Sequence, residues 1–599
     1  MSQSIGKIVG YLAIPFVAFW AVDFLVHVLF DAVRLYRIPA FYGPGHLIEK
    51  WAGYGAAAYV VYLLLIGKSN QGPGIGKAST TSKTGRQVKA STYTFETHTP
   101  SVPRINLVNP FRGVLILGGA GAGKSKSLIE PIIRQTIERG YAGLLYDFKF
   151  PTLAQVASHA RQQHRRGEDR PGLAFYFVNF EDLTCSHRIN PLDPATMPTQ
   201  SHADEYARAI LYNLKPDAIK KGDFWTDSAH SYLTALIWFL REEYPQYCTL
   251  PHVMALAFQP TADVVALLST NPETRGTIAS LRESVQRKAE GQTAGVVSTL
   301  QTALRRINTK EIVWVLSGSD FTLNLNDPQA PKFVTLGNSP TLSSTFAPVI
   351  ALLATVAIKQ MNQPGKVPSA IILDEAPTLY IPNFDQLPAT GRSNQLATIY
   401  GAQDISQMED MYGRSKKDAL LANLNNQFYG RVGHRETAQY IADLWGREYV
   451  QQRTEGQNES SRDFETTQSR SLSHSYTERS RVRIQDVLEL NTGEFYGQLV
   501  DSDFSSFKAQ IRVQETGPIP ELVPFMMATS QEVKRNFMRI QEEIETVVLG
   551  KQRGGDVTTA ASRSETEPPT TVEPHRRTGG QVNGQTQAGQ TLPNESLDF

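Results

Sequence analysis

Eight consecutive residues, Gly118-Gly119-Ala120-Gly121-Ala122-Gly123-Lys124-Ser125, fill every fixed position of the pattern G-x-x-x-x-G-K-[ST]. Glycines let a backbone turn tightly enough for successive N–H groups to converge on phosphate oxygens. In such a loop Lys124 reaches the β- and γ-phosphates and the Ser125 hydroxyl ligates Mg²⁺. The expected phosphate-binding set runs from Gly118 to Lys126. A glycine-rich turn that binds nothing has the same composition, so the flanks matter. Val114-Leu115-Ile116-Leu117 reads as a buried strand, and Ser127-Leu128-Ile129 opens a helical run. Pro131 removes one backbone donor and is predicted to bend or shorten that helix.

A second strand, Ala370-Ile371-Ile372-Leu373, ends in the acids Asp374 and Glu375. Asp374 would hold the Mg²⁺ shell, and Glu375 would orient or deprotonate an attacking water. Arg392 lies seventeen residues beyond Glu375, and Gln403 follows the next apolar strand. A strand-end glutamine can sense a γ-phosphate. An arginine from a neighbouring subunit can neutralise charge on a transferred phosphoryl group. By spacing alone either residue reads equally well as structural.

These groups need a parallel sheet whose strand ends share one crevice. Apolar runs at 113–117, 143–146, 175–178, 333–336, 370–373 and 397–400 supply it, with helical patterns between several of them. Strands at 493–500 and 507–513 are expected to close the domain. Residues 195–310 carry few strand signals, and Phe224–Leu240 and Val296–Leu304 have helical periodicity, so an inserted all-α domain is expected there. Its basic residues, Lys215, Lys220, Lys221, Arg275, Arg282, Arg287, Lys288, Arg305 and Arg306 among them, suit DNA phosphates or an ordinary solvated surface. Residues 455–482 are polar and read as a mobile loop, 521–550 as a C-terminal helical segment, and 551–599 as a disordered tail.

The chain of 599 residues is long enough for several domains. Its net charge of +1 excludes a globally basic nucleic-acid binder, so any DNA surface must be local. The two cysteines, Cys185 and Cys248, are too far apart in sequence for a metal-binding pattern and imply no disulfide framework. Residues 8–30 are apolar over a length that crosses a bilayer core, with Asp23 and His27 on one face. A second apolar run covers 51–67, and a basic linker covers 68–103. The interval 31–50 has three Lys/Arg and two acids, whereas 68–112 has seven Lys/Arg and one acid. That asymmetry places everything after residue 67 in the cytoplasm, so an integral inner-membrane protein with a multi-pass anchor and a large cytoplasmic part is expected.

The ordered set of motifs resembles the type IV coupling proteins, the VirD4/TraG/TraD group of conjugation ATPases. The matching pieces are the two apolar spans, Gly118 to Ser125, Tyr146-Asp147-Phe148-Lys149, Ile189-Asn190-Pro191-Leu192, the helical insertion, Leu373-Asp374-Glu375-Ala376-Pro377 and Gly401-Ala402-Gln403-Asp404. Asn109-Pro110-Phe111-Arg112-Gly113 and Phe148-Lys149-Phe150-Pro151 look most like the mobilisation-type members of the Bacteroidetes. The resemblance implies an α/β fold: a RecA-like P-loop NTPase domain at 104–194 and 311–520 with a mainly parallel sheet, an inserted all-α domain at 195–310 and two N-terminal transmembrane helices. It implies ATP and Mg²⁺ as ligands, and a hexameric homo-oligomer among inner-membrane lipids. Its partners would be a relaxase, single-stranded DNA and the components of a type IV secretion channel. Lys124, Ser125, Asp374, Glu375 and Gln403 match the family's site by motif, and Arg392 matches its trans-acting arginine by position. Phe150-Pro151 replaces the commoner Gly-Glu, so no role carries over to Asp147. The alternatives with the same ATPase are a receptor for secreted effector proteins and a chromosome-partitioning-type pump for double-stranded DNA.

Overall fold

Strands buried on both faces of a parallel sheet need apolar side chains at every position, and several runs in this chain meet that demand. The computed structural model describes residues 93–164, 173–462, 465–502, 504–514 and 517–550. Both expected membrane spans, the linker as far as residue 92 and the tail at 551–599 lie outside the described residues.

The strands are β1 (Tyr93–Glu96), β2 (Arg104–Leu107), β3 (Val114–Leu117), β4 (Ala142–Asp147), β5 (Ala174–Val178), β6 (Lys332–Gly337), β7 (Ser369–Leu373), β8 (Leu396–Ala402), β9 (Asn426–Tyr429), β10 (Arg447–Arg462), β11 (Glu465–Ser480), β12 (Glu494–Gln498) and β13 (Ser506–Gln510). Nine of them form one sheet in the order β13-β12-β9-β3-β8-β7-β4-β6-β5. The pairings from β9 to β5 are parallel, and β12 adds two antiparallel ones at the edge. Alternate residues serve opposite faces, as the pleat requires. Leu115 and Leu117 join one apolar cluster, while Val114 and Ile116 join the other.

The helices used below are α1 (Glu130–Glu138), α2 (Thr152–His164), α3 (Gln200–Leu214), α4 (Phe224–Glu243), α5 (Leu250–Ala257), α6 (Glu290–Arg305), α7 (Lys310–Leu316), α8 (Ser343–Met361), α9 (Ile405–Tyr412), α10 (Arg435–Leu444) and α11 (Ser530–Glu543). Residues of α1 and α2 join the apolar cluster on one face of the sheet, and those of α3 to α8 join the cluster that includes its other face. The helical interval shares a continuous core with the sheet: Tyr206, Leu233 and Leu300 belong to the same cluster as Leu144 and Ile371. Among the described residues one helix, α8, is long and apolar enough to cross a membrane, and 78% of its apolar window is buried inside the protein. It is a core helix packed on α3.

Pro131 sits in the first turn of α1, directly after a π-helical turn over Ser125–Ile129. The predicted distortion is thus a change of winding rather than a break. Two expectations need correction. Residues 93–103, read as the end of the linker, contain β1. It pairs with β2 and buries Tyr93 and Phe95 against the core. Residues 455–482, read as a mobile loop, lie largely in the β10–β11 ribbon, paired from Arg447↔Ser480 to Arg462↔Glu465. The ribbon is a separate two-stranded sheet held by backbone hydrogen bonds, which need no apolar side-chain pattern.

Candidate active site

β3 delivers the glycine loop to the carboxyl-end edge of the sheet, where its backbone is pinned on both sides. The Gly118 amide donates to the Ala402 carbonyl (3.1 Å) and the Gly119 amide to the Arg431 carbonyl (2.7 Å). On the other flank the Gly493 amide donates to Ala122 O (2.9 Å), and the Thr492 hydroxyl donates to Gly121 O (3.0 Å). Gly121 (φ +75°) and Gly123 (φ +92°) take left-handed conformations. A Cβ on Gly123 would stand 2.8 Å from the Gly493 nitrogen. Lys124 is buried; its ammonium donates to the Gly118 carbonyl and lies 3.5 Å from Glu375 Oε1.

β7 is parallel to β3 with β8 between them, so Asp374 and Glu375 arrive at the same carboxyl-end edge. Both are buried. Glu375 adopts a left-handed backbone conformation (φ +53°, ψ 49°), a strained state for a residue with a side chain. A chain of hydrogen bonds holds it. The Asn338 amide donates to the Tyr146 hydroxyl (2.7 Å), Tyr146 bonds Thr378 Oγ1 (2.8 Å), and Thr378 Oγ1 donates to the Glu375 carbonyl (2.7 Å). Burial first, and the neighbouring Glu375 charge second, push the Asp374 carboxyl up to about 7, while Lys124 pulls it down. Asp374 Oδ1 is buried without a hydrogen-bond partner. A buried carboxylate oxygen left without a partner suits a hard divalent cation, so the Asp374 side chain fits a Mg²⁺ ligand.

Asp147 has a structural role. Its carboxylate accepts from the Leu153 (2.8 Å), Ala154 (3.0 Å) and Lys149 (3.2 Å) amides and thereby caps α2 from a distance in sequence. Burial raises its carboxyl to about 6 against the pull of those bonds.

Gln403 lines two adjoining cavities. One, of about 440 Å³, has Glu375, Pro377, Thr378, Lys220 and Asp410 in its walls. The other, of about 610 Å³, is walled by Gly119, Ala120, Asp404, Arg431 and His434. Gln403 thus stands between the carboxylate and the glycine loop. Arg392 does not join this group within one subunit. It is exposed and precedes β8, whose first residue Leu396 pairs with Ser369 at the start of β7. The length of β8, roughly 20 Å at about 3.3 Å per residue, separates it from the loop edge. Sequence reasoning did not find Arg431, Thr492 or Gly493. Arg431 follows β9, whose Asn-Gln-Phe-Tyr sequence carries no apolar run.

The model of the family described as "Type IV secretory system Conjugative DNA transfer" matches residues 74–495. "Coupling protein TraD" of Escherichia coli (strain K12) is 21% identical over 336 residues, covering 52% of this chain and 44% of that protein. The chain therefore matches less than half the length of this curated relative. The bacterial conjugative coupling protein TrwBdeltaN70, in its unbound monoclinic form, superposes with a TM-score of 0.51 at 13% identity, over 72% of this chain and 90% of that one. The plasmid coupling protein TrwB in complex with ADP and Mg²⁺ gives 0.51 at 15% identity, over 68% and 86%. At such identities the likeness establishes the shared α/β fold with its mainly parallel sheet.

Proposed function

The chain belongs to the type IV secretory system family of conjugative DNA transfer, and on that premise we propose that it is a membrane-anchored ATPase coupling a relaxase–DNA substrate to a secretion channel. Hydrolysis would drive single-stranded DNA through that channel. The observation that carries the reading is the Lys124–Glu375 approach of 3.5 Å in a buried pocket, at the edge where a complete phosphate loop ends. The nucleotide and Mg²⁺ bound to the structural neighbour TrwB support the same ligands here.

The loop amides and Lys124 would hold the triphosphate of ATP, with Gly118 to Lys126 as its cradle. Ser125 and Asp374 would hold Mg²⁺, which when bound neutralises charge on the phosphate oxygens. Glu375 would accept a hydrogen bond from the attacking water, and its strained backbone fixes the direction of that carboxylate. Gln403, between the two cavities, would register whether the terminal phosphate is present. Arg392 would act on the site of the next subunit in a hexamer. Residues 195–310 would meet cargo as an all-α domain within a nucleotide domain at 104–194 and 311–520. Spans at 8–30 and 51–67 would fix the ring in the inner membrane.

The test is ATP hydrolysis by the solubilised full chain, with and without single-stranded DNA. The expected result is turnover that DNA stimulates and that Lys124→Ala abolishes. Unchanged turnover in Lys124→Ala would reject the site assignment, and indifference to DNA would reject the cargo.

A further inference from the structure

We propose that Arg431 is an additional catalytic residue, contacting the terminal phosphate of ATP bound to its own subunit. The inference rests on the ATPase reading above.

The backbone of Arg431 is already part of the phosphate loop's support, since its carbonyl accepts the Gly119 amide at 2.7 Å. Its guanidinium reaches over the same loop: a Cβ built on Gly121 would lie 4.0 Å from Arg431 Nη2. The side chain is exposed in the cavity walled by Gly119, Ala120 and Gln403 and forms no ion pair among the described residues. Glu375 lines one cavity and Gly119 and Ala120 the other, with Gln403 in both, so a terminal phosphate held by Lys124 would sit near that shared boundary. Arg431 would approach it from the Gly119–Gly121 side, opposite Glu375. Electrostatics favour this use. Among the described residues Lys124 is the one cation in ion-pair reach of the buried Glu375, Asp374 beside it makes no ion pair, and a triphosphate brings several further negative charges. A planar, permanently charged guanidinium matches phosphate oxygens in geometry and charge.

A merely structural arginine would behave differently. Truncating the side chain leaves the Gly119–Arg431 backbone bond intact, and Thr492 and Gly493 still brace the loop from the far side. Arg431→Ala should therefore keep the loop folded while losing the phosphate contact.

The experiment uses the full-length oligomer and compares Arg431→Ala, Arg431→Lys and Lys124→Ala. Turnover is measured alongside affinity for ADP and for a non-hydrolysable ATP analogue. For Arg431→Ala we expect kcat to fall by about 100- to 1,000-fold. Affinity for the analogue should fall with it while ADP affinity holds, and Arg431→Lys should recover part of the loss. Equal losses for ADP and the analogue, or wild-type turnover, overturn the inference. Mixing Arg431→Ala with Lys124→Ala subunits tests the geometry. No recovery is expected from a contact within one subunit, and recovery would move the arginine to a neighbour's site and overturn it. An active Lys124→Ala protein overturns the ATPase reading along with this one. An inactive Lys124→Ala beside an unimpaired Arg431→Ala overturns this one alone.

Discussion

Glu375 is held in a left-handed conformation by a hydroxyl that never touches the reacting atoms. Thr378 Oγ1 donates to the Glu375 carbonyl at 2.7 Å and bonds Tyr146 at 2.8 Å. Thr378→Val keeps the shape and removes the bond, worth about 1 kcal/mol. If that bond aims the carboxylate, kcat should fall roughly fivefold with nucleotide affinity unchanged, as steady-state turnover and equilibrium binding would together record. Gly123→Ala attacks the same site from the loop side. Its Cβ would meet the Gly493 nitrogen at 2.8 Å from a backbone at φ +92°, so nucleotide binding itself should be lost while the domain stays folded. The loop and the acid pair were legible in the sequence because each is a contiguous motif whose residues act together locally. Arg431 and Thr492 were not, because their proximity to Gly119 and Gly121 exists only once β9 and β12 have joined the sheet.

The same division holds among elements. Six parallel strands were legible because burial on both faces forces unbroken apolar runs, as in Ile371-Ile372-Leu373. β9 was not, because Asn426 spends its side chain on the Asn109 and Gly113 carbonyls (3.1 and 3.0 Å). Its place between β3 and β12 is set by hydrogen bonding as much as by apolar burial. Asp147 is likewise an element-scale residue. Replacing it with Ala leaves the first amides of α2 without their acceptor and should cost about 1–2 kcal/mol in denaturant unfolding, whereas Asn should cost less. The C-terminal helix α11 is tied to α5 by a different bond: Glu543 Oε2 lies 3.0 Å from His252 Nε2, with Thr249 Oγ1 on the other ring nitrogen and Arg539 nearby. Burial holds the His252 pKa below its ordinary value of 6.5, and the Glu543 bond opposes that shift without reversing it. A histidine depressed on folding contributes stability that is present above 6.5 and is lost as pH falls through its folded value. Hydrogen exchange over residues 530–548, corrected for intrinsic rate, should therefore quicken between pH 7 and pH 5. Exchange that is flat with pH would show that the contact carries no such linkage.

At the scale of the whole molecule, one chain brings a glycine loop and two buried carboxylates, the pair proposed to serve metal and water, to one end of the strands, whereas its exposed Arg392 precedes β8 at the other end. If Arg392 completes catalysis, it must do so on another copy, and turnover becomes a property of assembly. The dependence on protein concentration then has a definite form. A self-sufficient monomer gives a specific activity that is constant with dilution, whereas a site shared between copies gives one that falls as contacts dissociate. We expect specific activity of the solubilised chain to rise steeply with concentration and to level off once assembly is complete, with DNA moving that plateau to lower concentration. Arg392→Ala should lower the plateau without changing its position. Mixing Arg392→Ala with Lys124→Ala subunits should regain activity, because an intact loop on one can meet an intact arginine on the next. Arg431, proposed to act within its own subunit, should give no such rescue, so the same mixing design separates the two arginines by where each delivers its charge.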